Sequence, residues 1–143
     1  RDCVEIRRKT SNPFILDESI DSLKNFLQAY DDGAMDIINL KISKLGGIYK
    51  SKQIRDLCVE LKIPMTIEDS WGGDIATAAI SHLAHSTPEK LRFSSTDFNS
   101  YNSFSYTEGS PKRIDGKMKA SDSYGLGVEI DFSKIGEPEF VIN

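Results

Sequence analysis

Apolar residues in this chain follow two alternating rhythms. Short apolar runs at Pro13–Asp17, Asp36–Ile42, Pro64–Glu68 and Leu91–Ser94 predict strands. Between them, apolar positions recur every three or four residues, the spacing of one helix face. Ile20, Leu23, Phe26, Leu27 and Tyr30 form the first such set, with Ser19 as the expected N-cap. Ile48, Ile54, Leu57, Cys58 and Leu61 form the second, after a Gly46-Gly47 turn. Ile75, Ala78, Ala79, His82 and Leu83 form the third, after Trp71-Gly72-Gly73. Asp2–Lys9 reads as a leading helix. The strand starts near 14, 37, 64 and 91 are 23, 27 and 27 residues apart, which suits parallel strands joined by crossover helices.

From about Asn99 the rhythm stops. Ser, Asn, Gly and Tyr dominate through Gly127, with a strand–turn–strand signal around Asp115-Gly116 and an extended piece at Val128–Phe132. Four βα-type strands are too few for a closed eight-stranded barrel of about 250 residues. Two architectures remain: a small open α/β sheet, or the C-terminal half of a (β/α)7-8 barrel in residues 1–98, with a tail in 99–143 that packs on the barrel or on a capping domain.

Strand parity places the chemistry. Ile38, Leu40 and Ile42 share one face, while Asn39 and Lys41 lie on the other with Ile37. Thr66 and Glu68 oppose Met65 and Ile67. Ionisable groups collect at the C-terminal strand ends: Asp17, Lys41, and Glu68 with Asp69. That end is where parallel α/β proteins build sites, which favours the half-barrel. A strand-end carboxylate suits a hard cation such as Mg2+. A lysine beside such a cation is expected to have its pKa pulled toward neutrality and to take a proton from the carbon next to a carboxylate, giving an enediolate that the metal stabilises. Lys44 is the competing lysine, beyond the strand.

The stretches Ile15-Leu16-Asp17-Glu18-Ser19 and Asn39–Gly47 resemble the mandelate racemase/muconate lactonizing branch of the enolase superfamily, including a separation of 24 residues between Asp17 and Lys41. Ile67–Ile75, Thr77–Ala84 and Tyr124–Glu129 resemble the members acting on proline betaines and hydroxyprolines, which are epimerases and cis-3-hydroxyproline dehydratases. The resemblance implies that Asp17 is the third Mg2+ ligand and Lys41 one of two opposed acid/base lysines. It also implies that the other metal carboxylates, the second lysine and the capping domain precede this chain, which alone would not turn over substrate. Epimerisation needs a group on each face, whereas a syn dehydration could use one lysine twice.

Other residues divide between site and scaffold. Glu68 and Asp69 are candidates for the substrate's nitrogen end, the competing role being a charge at a helix start. Trp71 is a candidate aromatic wall, with packing as its alternative. Asp97, Phe98 and Tyr101 occupy the stretch where the resembled subgroup places aromatic rings over a quaternary ammonium. His82 and His85 lack a carboxylate at zinc-site spacing, Cys58 reads as core, and Lys50, Lys52 and Arg55 read as a solvated helix face.

Composition is that of a folded domain, with 38% hydrophobic and 28% charged residues. No apolar run reaches the roughly 18 residues of a membrane span. A net charge of −4 without a basic stripe argues against nucleic acid. Two cysteines without a CxxC pattern suit a reducing, cytoplasmic setting. The expected partner is a small carboxylate substrate, with homo-oligomerisation of the full-length enzyme. Two rival readings are a Schiff-base aldolase using Lys41 and a non-catalytic half-barrel that needs a partner chain.

Overall fold

The structure, a computed structural model, describes residues 2–141. Helix α1 (Asp2–Lys9) leads into β1 (Ile15–Leu16), α2 (Leu23–Asp31), β2 (Ile37–Lys41), α3 (Ile48–Leu61), β3 (Met65–Glu68), α4 (Asp74–His85) and β4 (Arg92–Ser95). The four strands form one sheet in the order β1-β2-β3-β4, every pair parallel. Register sets Asn39 beside Thr66 and Lys41 beside Glu68, and Thr66 beside Ser94.

Parity then separates core from chemistry. Leu16, Ile38, Leu40, Met65 and Ile67 share a buried cluster with Phe26 of α2, Ile54 and Cys58 of α3, and Ile80 and Leu83 of α4. The opposite parity carries Asn39, Lys41, Thr66, Glu68 and Ser94. This second row is knit by side chains across strands. Asn39 Nδ2 donates to Glu68 Oε1 at 2.8 Å, and the Thr66 and Ser94 hydroxyls are hydrogen-bonded at 2.9 Å.

Three local expectations change. The N-cap of α2 is Ser22, whose hydroxyl accepts from Asn25 N at 3.2 Å; Ser19 instead lies in a turn closed by Ile20 N donating to Asp17 O. That turn buries Ile20 completely and delays the helix, so Leu23, Leu27 and Tyr30 are largely exposed. The third change is Arg55. It is buried, because its guanidinium reaches across to donate to the Ser86 carbonyl at 2.7 Å, tying α3 to the end of α4. Lys50 and Lys52 remain exposed. Cys58 is core, as its apolar helix position implied, and burial pushes its thiol up to about 12.

The tail is held against α4. The buried Asp74 carboxylate accepts from Ser105 Oγ at 2.8 Å and Tyr106 N at 3.0 Å, and His82 Nε2 meets Leu126 O at 3.1 Å. Gly73 permits this closeness, since a Cβ there would lie 2.7 Å from the Tyr106 ring. Ile114 and Lys117 bridge around Asp115 and Gly116, both at positive φ, as the Asp-Gly turn predicted. Thr107–Glu108 (β5) and Glu129–Ile130 (β6) pair antiparallel, and a short helix α5 (Phe132–Ile135) follows. No helix among the described residues is long and apolar enough to cross a membrane.

Ile67 is fully buried between β2 and β4, so Ile67→Ala should cost about 2–5 kcal/mol. Ser22→Ala should cost about 1 kcal/mol, the value of one N-cap. Urea unfolding of the two variants checks the ranking; equal losses would contradict the assigned core.

Candidate functional site

The C-terminal ends of β1, β2 and β3 bring one lysine among three carboxylates. Lys41 Nζ donates to Glu18 Oε1 at 2.7 Å, lies 2.9 Å from Asp17 Oδ1 and 3.9 Å from Glu68 Oε1. The lysine stem is buried, and the ammonium reaches the loop after β1 because adjacent parallel strands end side by side. The spatial pairing of Asp17 with Lys41 therefore follows from strand parity and direction.

The electrostatics of the site are set by its carboxylates. Burial pulls the Lys41 ammonium down, but the hydrogen bond to Glu18 and the negative charges of Asp17 and Glu18 outweigh it and hold the group above its ordinary value. The expected fall toward neutrality belongs to a lysine beside a bound cation, whereas here its neighbours are the anions Glu18 and Asp17. Glu68 shifts the other way. Burial raises its carboxyl, Lys41 opposes that, and the Asp17 charge adds to the rise. Lys41 and Lys44 both hydrogen-bond to Glu18 and hold its carboxyl down at about 2.

Asp17 has an unspent acceptor. Its Oδ1 is buried, and although it is within ion-pair distance of Lys41 it receives no hydrogen bond. A buried carboxylate oxygen without a donor fits a ligand for a hard cation. Among the described residues, no group of three or more His, Cys, Asp or Glu side chains is arranged to hold a metal ion. Asp17 thus fits as one ligand of an incomplete set. His82, bonded to the tail, is no part of it.

Asp69 is placed differently from its expected role at a substrate's nitrogen. It is buried, and its oxygens accept from the Ser43 hydroxyl, from Ser43 N at 3.1 Å and from Ser70 N at 2.7 Å. These bonds lock the loop after β2 to the loop after β3. Trp71, Phe98 and Tyr101 do come together, from the loops after β3 and β4. Ring centroids lie 5.7 Å apart for Trp71 and Phe98, 6.1 Å for Trp71 and Tyr101, and 6.2 Å for Phe98 and Tyr101. Phe98 is buried beneath them, while Trp71 and Tyr101 are 65% and 66% exposed and so present open ring faces.

Sequence reasoning gave Glu18 no role and weighed Lys44 only as the competing lysine beyond the strand. Both look like solvated loop charges, and only the fold shows that they meet at the lysine. The adjacency of Glu18 to Asp17 was the available signal.

A parallel sheet whose C-terminal strand ends gather a lysine among carboxylates is the architecture of a (β/α) half-barrel. The chain belongs to the Enolase C-terminal domain-like family, which matches residues 1–134. It is 56% identical over 135 residues to a cis-3-hydroxy-L-proline dehydratase of Roseibium aggregatum, covering 94% of this chain and 37% of that protein. Among solved structures it is similar to a mandelate racemase/muconate lactonizing enzyme from Roseovarius nubinhibens ISM, with TM-score 0.92 and 41% identity over 97% of this chain and 38% of that one. A member of the enolase superfamily from the same organism, complexed with magnesium, matches with TM-score 0.92 and 32% identity over 96% and 38%. The chain thus spans under two-fifths of the length of these relatives. Its four-stranded sheet is half of their (β/α) barrel.

The Glu18 titration tests the cluster. Its folded pKa lies below the unfolded value, so the pair's contribution is complete above about 4.5 and fades as pH falls toward about 2. Carbon-13 NMR of the Glu18 side-chain carboxyl should show a midpoint near 2, moving upward in Lys41→Met. A midpoint at the ordinary glutamate value in the unsubstituted chain would refute the ion pair.

Proposed function

We propose that this chain is the C-terminal part of a Mg2+-dependent enzyme that removes the proton alpha to a carboxylate in a hydroxyproline-like substrate, with dehydration as the outcome. The observation that carries the reading is the Lys41 ammonium held among Asp17, Glu18 and Glu68 at the strand ends. The likeness to a cis-3-hydroxy-L-proline dehydratase supports the substrate class.

Asp17 would hold the cation through its carboxylate, other ligands coming from outside this chain. Mg2+, when bound, supplies positive charge that draws electron density from the substrate carboxylate and makes its alpha proton more acidic. Lys41 carries a proton at Nζ on one side of the substrate. In a cis-3-hydroxyproline the hydroxyl lies on the carboxylate's face of the ring and the alpha hydrogen on the opposite face. Loss of water breaks the alpha C–H bond on one face and the C–O bond on the other, the hydroxyl leaving with an added proton. Lys41 and Glu68, 3.9 Å apart, are too close to straddle a ring and serve the same face. The opposing group must come from the rest of the enzyme, so one lysine does not perform both steps. Trp71 and Tyr101 offer open rings to the substrate's cationic nitrogen, with Phe98 backing them and Glu68 adding negative charge. Asp69 acts by fixing the loops that carry these groups.

The same geometry disfavours the Schiff-base alternative, which needs a neutral, nucleophilic lysine rather than one tied to carboxylates. A test is a chimera in which this chain replaces the matching stretch of the Roseibium dehydratase. It should dehydrate cis-3-hydroxy-L-proline only with Mg2+, while the 143-residue chain alone should not. Lys41→Ala should lower kcat by about 10²–10⁴-fold. A folded chimera that is inactive, or one indifferent to Lys41→Ala, would refute the assignment.

A further inference from the structure

The mechanism above leaves Glu18 and Lys44 without a task, although Glu18 hydrogen-bonds to both Lys41 and Lys44. We propose that Glu18, clamped by Lys44, is the positioning residue that aims the Lys41 ammonium at the substrate; this rests on the acid–base role given to Lys41.

A lysine ammonium sits on a flexible four-carbon stem and needs fixed acceptors to point it. Lys41 has three candidates. Asp17 Oδ1 is ion-paired with it at 2.9 Å without a hydrogen bond, and Asp17 is the carboxylate best fitted to a cation. Glu68 Oε1 is already taken by Asn39 Nδ2 at 2.8 Å and stands 3.9 Å from Nζ. Among the described residues Glu18 is the one that accepts a hydrogen bond from Lys41, through Oε1 at 2.7 Å. When Asp17 is given to a metal, Glu18 is the acceptor that stays.

Glu18 is itself a mobile type of residue in an exposed place, with a side chain 73% accessible in this chain. Its backbone lies in the turn closed by Ile20 N donating to Asp17 O, which fixes the main chain and leaves the side chain free to rotate. What fixes the carboxylate is Lys44, which holds the second oxygen, Oε2, while Lys41 holds the first. Lys44 is only 21% accessible at its side chain, so the clamp is anchored from its own end. Lys44 lies in the turn after β2, three residues beyond Lys41. The path therefore runs from one turn of β2 through a carboxylate on β1's loop and back to the last residue of β2. It joins neighbouring strand ends through charge-assisted bonds, which are stronger than neutral ones. An acid/base group displaced by about 1 Å can lose on the order of 100-fold in rate, so such a clamp has a measurable task.

The experiment uses the chimera described above, with Glu18→Ala, Glu18→Gln, Lys44→Met and the double variant Glu18→Ala/Lys44→Met. Melting temperatures confirm folding, and the isosteric Glu18→Gln serves if Glu18→Ala fails to fold. Glu18→Ala should lower kcat by about 10- to 100-fold while KM and the Mg2+ half-saturation stay within about twofold. Lys44→Met should lower kcat less, and the double variant should be no worse than Glu18→Ala alone, because the clamp acts only through Glu18. Glu18→Asp should restore part of the loss. A second readout needs no turnover: acylation of Lys41 by acetic anhydride without metal, read by peptide mass spectrometry against exposed Lys24. It should quicken several-fold in Glu18→Ala and Lys44→Met. Unchanged kcat with unchanged acylation would overturn the proposal. Additive losses would overturn it too, as would a loss confined to Mg2+ half-saturation, which would make Glu18 a ligand. If the unsubstituted chimera is folded but inactive, the reaction assignment fails, and acylation still decides the clamp.

Discussion

Parallel register is the constraint on which the rest of this structure depends. Because β1, β2 and β3 run the same way, their C-terminal ends and the loops beyond them gather on one side. The pairing that sets Lys41 beside Glu68 also leaves Leu40 beside Ile67 on the buried face. A slip of one residue would exchange the two faces, sending Lys41 into the apolar core and exposing Leu40. The hydrophobic core and the charged cluster therefore specify each other. Burial of Ile38, Leu40, Met65 and Ile67 fixes the register, and the register delivers the lysine.

The cluster is unbalanced in charge. One ammonium faces Asp17, Glu18 and Glu68, and only Lys44 adds a second positive group, through Glu18. Removing a lysine from water costs free energy that carboxylate neighbours must offset. Here the carboxylates hold the Lys41 pKa above its ordinary value, and the two lysines hold the Glu18 carboxyl below its own. The excess of carboxylate oxygen, with an undonated oxygen on Asp17, leaves the strand ends receptive to a further positive charge. The aromatic trio beside the loops of β3 and β4 suits a cation of a different kind, one bound through ring faces.

Much of this was legible in the sequence, for reasons specific to each element. The strands announced themselves because β2 and β3 alternate between core and polar face, and crossover spacing gave their direction. Asp17 and Lys41 could be paired because both end strands that such spacing makes neighbours. The start of α2 was misplaced because Ser19 and Ser22 are both capping residues, and only tertiary burial of Ile20 decides between them. Arg55 was misjudged because its partner, the Ser86 carbonyl, is 31 residues away. Glu18 was given no role, and Lys44 was weighed only as a rival base, because a charged side chain in a turn has no local signature that separates a contact to a neighbouring strand end from a solvated surface. Asp69 looked like a ligand for substrate because the hydroxyl and amide of Ser43, which occupy it, sit on another loop.

The most direct test of the central claim is a crystal structure of the chimera with Mg2+ and a proline carboxylate bound. The account predicts an Asp17 oxygen about 2.0–2.1 Å from the cation. It also predicts Lys41 Nζ within roughly 3–3.5 Å of the ligand's ring atoms, on one face only. A structure in which Lys41 points away from the ligand, or in which Asp17 takes no part in holding the cation, would contradict it.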